Sequence, residues 1–197
     1  MNPAQKRKFD ALCKLYKQYN ITRTVLSSDA KFADALWQKD YESQFWRRTI
    51  LRCLCAYIEG TMSLLKTVTP EAANYFGVSL TSKDFEVVTE TRKCIENGVA
   101  TTKKSFLRFP DNLKATLKIY AKAHANRLAI KFDDLGFKDL CATFELRNKL
   151  MHPKGVFDLE VSDKALEATD RGIKWFDFAV GEIVDQGAKK FSFSKTS

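Results

Sequence analysis

Glycine and proline are scarce, with 8 Gly and 4 Pro in 197 residues. That scarcity weighs against a loop-rich all-β sandwich and against a collagen-like chain. Long apolar runs are missing too. No stretch approaches the roughly 20 residues that a membrane helix needs, so no membrane partner is expected. The opening MNPAQKRKFD is charged and has no apolar stretch behind it. This argues against a secretory signal and sets the cytoplasm as the expected compartment. Cysteine is sparse and scattered: Cys13, Cys53, Cys55, Cys94 and Cys141. An odd number at irregular spacing in a chain this long reads as reduced thiols, not a disulfide framework. Cys53 and Cys55 resemble half a zinc site, but no second Cys or His pair lies nearby to complete four ligands. Neither a metal nor a cofactor is expected.

What remains is an ordinary globular balance, 45% hydrophobic and 29% charged, at a length that suits one domain. The net charge of +9 is unevenly placed. Residues 101–131 hold Lys103, Lys104, Arg108, Lys114, Lys118, Lys122, Arg127 and Lys131 against the single acid Asp111. Residues 1–23 hold six bases against Asp10, so the rest of the chain is slightly acidic. A local excess of this kind suits a surface that meets a polyanion. Lys114, Lys118 and Lys122 recur every four residues and form one stripe on a helix. Like charges at that spacing repel by a few tenths of a kcal/mol per pair. Either phosphate or acids elsewhere on the fold must compensate them.

Hydrophobic periodicity predicts helices almost throughout. A first runs from Pro3 to Tyr19, and a second element starts after the N-cap candidates Ser27, Ser28 and Asp29. A long helix is expected over Tyr41–Lys66, then a short one over Pro70–Phe76 closed by Gly77. Further helices are expected at Ser82–Ile95, at Pro110–Ala125, from Asp133 or Asp134 to His152, and from Ser162 or Asp163 to about Gln186. Residues 100–109 read as loop or helix, and no strand is convincing. The expected architecture is an all-α bundle of about six helices. It forms one helical domain over 1–187, followed by a polar basic tail, 188–197.

Two of these helices carry polar residues where the pattern calls for core. On Tyr41–Lys66, Arg48, Arg52 and Glu59 fall within about 60° of one another around the axis, with Cys55 among them. Such a stripe is either an internal ion pair, Arg48 or Arg52 with Glu59, or the wall of a polar groove. On the helix ending ELRNKLMH, Phe137, Leu140, Cys141, Phe144, Asn148 and Met151 share a face, so Asn148 continues an apolar stripe beside Arg147. His152 lies one turn after Asn148, where Pro153 turns the chain. His124 sits beside Leu117 and Tyr120 and reads as a satisfied structural histidine.

The segment Glu145–Lys154 resembles the signature of HEPN domains: an Arg, a polar residue after it, and a His four to six places on at the end of a helix. FWRRTILRCLCAYIEG, residues 45–60, is similar to the earlier helix of bacterial HEPN families, where an acidic or polar residue supports the Arg–His pair. The resemblance implies a helical bundle, frequent homodimers and, in many members, metal-independent endoribonuclease activity. Others only bind RNA or nucleotide. It implies that His152 is the general acid/base, that Arg147 stabilises phosphate charge, and that Asn148 orients. It further implies that Glu59, with Arg52 and Arg48 in support, holds Arg147. Lys103, Lys104, Arg108, Lys114, Lys118 and Lys122 would then bind nucleic acid. Several members are toxins or anti-phage effectors, which implies an antitoxin or regulatory protein as a partner. Lys154 stands where one subgroup of toxins has a Tyr, so that subgroup's particular antitoxin partnership is not implied. The remaining alternatives are a non-catalytic nucleic-acid or nucleotide-binding module, and an interaction protein whose polar stripe is a strut.

Overall fold

The computed structural model describes residues 1–97 and 99–193, with side chains described through Gly187. Among the described residues there are six α-helices, one 3₁₀ turn and one hairpin. The chain is predominantly α-helical, as its periodicity requires. No described helix is long and apolar enough to cross a membrane.

The elements are α1 (Pro3–Trp37), α2 (Gln44–Phe76), α3 (Ser82–Thr89), β1 (Thr91–Glu96), β2 (Val99–Lys104), α4 (Phe109–Ala123), α5 (Leu135–Met151), the 3₁₀ turn Val156–Leu159, and α6 (Asp163–Phe193). Several boundaries differ from the sequence expectation, each for a physical reason. The cap candidates at Ser27–Asp29 do not open a new helix. Instead α1 runs through them, because Leu26 packs closely over Gly60 of α2 and Ala30 and Ala33 are buried beyond them. Pro70 does not divide α2. It gives up only the amide that would reach the Lys66 carbonyl, and Thr69 Oγ1 donates to the Leu65 carbonyl at 2.7 Å just before it. α6 continues past Gln186 to Phe193, so 188–193 of the expected tail are helical. Residues 194–197 of that tail lie outside the described residues.

The largest correction is the hairpin. The helix expected over Ser82–Ile95 stops at Thr89, where Glu90 takes a left-handed conformation (φ 52°). β1 then pairs antiparallel with β2 in the register Thr91↔Lys104 through Glu96↔Val99. Asn97 has φ 50°, the positive-φ geometry a tight hairpin turn demands. The dipeptide Asn97-Gly98 between β-branched stretches is the sequence signal for this turn.

The contacts group the chain into two compact units. The first comprises residues 1–19, 62–129 and 181–197. Its core contains Leu12, Leu65, Val68, Leu113, Leu117 and Tyr120. It also contains His124, which is fully buried. His124 Nδ1 donates to the Tyr120 carbonyl at 2.8 Å. Its Nε2 therefore accepts from the Tyr16 hydroxyl, which in turn accepts from the Tyr120 hydroxyl at 3.0 Å. Burial pushes the Tyr16 phenol up to about 12. This closed chain of bonds gives His124 the structural role its neighbours suggested.

The second unit comprises residues 20–61 and 130–180. Its core contains Leu51, Ile58, Phe137, Leu140, Phe144 and Phe176. α5 and α6 approach at the backbone here. A Cβ on Gly172 of α6 would lie 2.8 Å from the Leu140 backbone, and one on Gly136 of α5 would lie 2.7 Å from Trp175 Cβ. Each helix thus offers a glycine to its neighbour's bulk.

Candidate functional site

The polar residues of α2 and α5 meet in the second unit. Asp134 starts α5 by accepting from the Phe137 amide at 2.8 Å, a side-chain N-cap. The face Phe137, Leu140 and Phe144 then buries against the unit's core. That face does not continue as the pattern predicts. Asn148 and Met151 are exposed, and Leu150 carries the last buried contact. The final turn of α5 therefore emerges from the core with its polar residues outward.

Arg147 Nη2 donates to Glu59 Oε2 at 2.6 Å. Its Nη1 donates to Asn148 Oδ1 at 3.2 Å. The pair is partly open to water, with side-chain exposures of 28% for Arg147 and 45% for Glu59. Cys55, one turn before Glu59, is fully buried, and burial pushes its thiol up to about 12. Arg147 opposes that shift and Glu59 adds to it. Cys53 is also raised, first by burial and then by Asp29. Both shifts favour the neutral thiol over the thiolate that a metal ligand would need.

Glu59 is thus paired with Arg147 and not with Arg48 or Arg52, the internal pair that was one of the two alternatives for the α2 stripe. Those two arginines reach backbone carbonyls instead. Arg52 Nη2 donates to the Leu150 carbonyl at 3.4 Å, one of the last carbonyls of α5, which no helical amide satisfies. Arg48 Nη1 donates to the Leu159 carbonyl at 3.0 Å. Gln44 exchanges two bonds with the Val161 backbone, 3.1 Å and 2.8 Å. Arg47 donates to the Val161 carbonyl and to Asp163 Oδ1 at 2.7 Å. The first two turns of α2 therefore strap down the segment that follows α5. Arg47 is only 4% exposed and was missed from sequence.

His152 caps α5, its amide reaching the Asn148 and Lys149 carbonyls at 3.1 and 3.2 Å. Its ring is exposed and has no hydrogen-bond, ionic or aromatic partner among the described residues. Arg147, Asn148 and Glu59 are therefore bonded together, with His152 one turn beyond on the same helix and free to reach a ligand. Met151 just before it and Val156 and Phe157 shortly after it in the chain are exposed apolar side chains.

The basic residues lie in the first unit. Lys122 is bound to Asp84 at 2.6 Å, and Lys103 pairs with Glu96 across the hairpin. Part of the α4 stripe is therefore compensated by acids of the fold. Lys118, Lys104 and Arg108 are exposed and have no ionic partner among the described residues. Lys114 is half-buried. Asp84 also closes the capping box with Thr81. Burial pushes its carboxyl up, but Lys122 and the Thr81 amide and hydroxyl outweigh this and hold it below the ordinary value. The folded state thus favours the carboxylate. Its contribution is complete above the ordinary Asp value of about 4 and is lost as pH falls through the lower folded value. Asp84→Asn is expected to lower the melting temperature at pH 7 and to flatten its decline at acidic pH. Thermal melts between neutral and acidic pH check this.

Compared with protein-family models, curated proteins and solved structures, the chain matches none.

Proposed function

We propose that this protein is a HEPN-type endoribonuclease that acts without a metal. The observation that carries the reading is the Glu59–Arg147–Asn148 cluster on the emergent end of α5, one turn before the unengaged ring of His152. RNA brings its own nucleophile, the 2′-OH beside the scissile phosphate. Cleavage then requires a proton shuttle and a stabiliser for charge growing on the phosphorane. An imidazole, which can both take and give a proton through its ring nitrogens, suits the first task. A guanidinium fork suits the second. Glu59 occupies Nη2 of Arg147 and fixes the fork's orientation.

One imidazole serves poorly as both acid and base. A homodimer that joins two such sites supplies the second. The exposed Met151, Val156 and Phe157, close to His152 in the chain, suit such an interface. In this reading Lys118, Lys104 and Arg108 hold substrate RNA, and a toxin or phage-defence role restrained by an antitoxin or regulatory protein follows from the same resemblance. Cytoplasmic RNA is the substrate class.

An exposed ion pair contributes about 0–1 kcal/mol to stability. Glu59→Gln is therefore expected to shift the melting temperature by less than about 4 °C while lowering the cleavage rate by about tenfold or more. RNA with 2′-deoxy sugars at the cut positions is expected to resist the wild-type protein entirely. Cleavage of the deoxy-substituted strand refutes the 2′-OH mechanism. A large drop in melting temperature with no RNA cleavage by the wild type marks the cluster as a strut.

A further inference from the structure

Within the second unit, α1, α2 and α6 surround a cavity of about 790 Å³. Ile50, Leu54 and Ile173 give it an aliphatic wall, and Trp37, Tyr41 and Tyr57 add aromatic surface. Its size falls in the range of pockets that take small molecules. The charge it presents is opposite to that of the whole chain. Five carboxylates line it, Asp34, Asp163, Glu167, Asp170 and Asp177, against one ammonium, Lys31. The protein itself carries +9.

Three of these carboxylates already hold internal cations: Asp163 with Arg47, Asp170 with Lys174 and Asp177 with Arg23. Asp34 and Glu167 have no ionic partner among the described residues. Asp34 and Trp37 stand three apart on α1, hence on one helix face. Two residues of its lining, Tyr57 and Asp177, already hold a cation that is not itself part of the lining. The Arg23 guanidinium lies 5.6 Å from the Tyr57 ring centroid and donates to both the Tyr57 hydroxyl, at 2.6 Å, and Asp177, at 3.0 Å. An aromatic face backed by a carboxylate is a favourable seat for a cation.

We infer that this cavity binds a small organic cation, an amine or quaternary ammonium with an apolar body. The body displaces water from the aliphatic and aromatic walls. The cationic head meets Asp34 and Glu167, neither of which is held in an ion pair among the described residues. An anion with the same body gains the apolar contact and meets repulsion. This assignment is independent of RNA cleavage, so either can fail without the other.

The test is calorimetric titration of the full-length protein with 4-phenylbutylamine and, separately, with 4-phenylbutyrate. Saturable binding of one amine per chain is expected, at least about tenfold tighter than the carboxylate. The double variant Asp34→Asn/Glu167→Gln removes charge without breaking any internal ion pair. It is expected to weaken amine binding about five- to tenfold and to leave the melting temperature unchanged. Equal affinity for amine and carboxylate, absence of saturation at millimolar amine, or undiminished binding to the double variant overturns the assignment. Binding of an oligolysine peptide to the exclusion of the amine also overturns it, in favour of a peptide groove.

Discussion

His152→Ala is expected to lower the rate of RNA cleavage by about 10²- to 10⁴-fold, the usual contribution of a positioned acid–base group. Stability should not change with it. The His152 ring is exposed and engages nothing among the described residues, while the bonds that end α5 come from its backbone amide, which alanine retains. Surface changes of this kind stay within about 0.5 kcal/mol, or about 2 °C in melting temperature for a chain of this size. Arg147→Ala is expected to act on rate in the same direction. Its loss leaves Glu59 unpaired but still partly hydrated at 45% exposure, so it too should melt near the wild type. Parallel cleavage assays and thermal melts separate the two quantities. A variant that melts normally and cleaves normally removes its residue from the mechanism.

Gly172→Leu is expected to have the opposite profile, a large loss of stability from a residue with no chemistry. The first added carbon would lie 2.8 Å from the Leu140 Cα and amide nitrogen, and backbone cannot rotate away as a side chain can. α5 must then shift off α6. Overpacking of this kind costs about 1–3 kcal/mol and more when backbone is the obstacle. With backbone as the obstacle the cost is taken as about 3 kcal/mol, and at about 2–4 °C per kcal/mol the melting temperature should fall by roughly 6–12 °C. A Cβ on Gly181 of the same helix would meet nothing within 4 Å. There Gly181→Ala should gain up to about 1 kcal/mol from helix propensity alone. Differential scanning calorimetry of the two variants side by side reads the contrast. A Gly172→Leu protein as stable as the wild type contradicts close approach of these helices.

The helical composition was legible because apolar residues recur at 3.6-residue spacing through most of the chain. Both ends of α5 were legible as well, because Asp134 is a strong cap and Pro153 a strong stop. Boundaries were misread where a local signal met a packed environment. Ser27–Asp29 look like a start and Pro70 like a break, yet close packing at Leu26–Gly60 and the buried Thr69 bond carry the helices through. The hairpin was not legible from periodicity: the expected helix over Ser82–Ile95 runs past Thr89 into β1, and the Asn97-Gly98 pair is a short-range signal that helical spacing does not register. Within the site, spacing placed Arg147, Asn148 and His152 on one helix end. It did not fix partners, since Arg48, Arg52 and Arg147 all had one carboxylate, Glu59, within plausible reach. Three-dimensional register gave Glu59 to Arg147 and sent the other two to carbonyls. Arg47 was illegible for a related reason. A buried arginine looks like any charged residue until the carbonyls and Asp163 that satisfy it are brought around it.

The most direct measurement is the product of wild-type protein acting on end-labelled RNA in excess chelator. Cleavage that persists under chelation, leaves 2′,3′-cyclic phosphate ends and disappears in the Arg147→Ala protein is the predicted result. RNA left intact by a folded wild-type protein, or cut equally well by Arg147→Ala, contradicts the account.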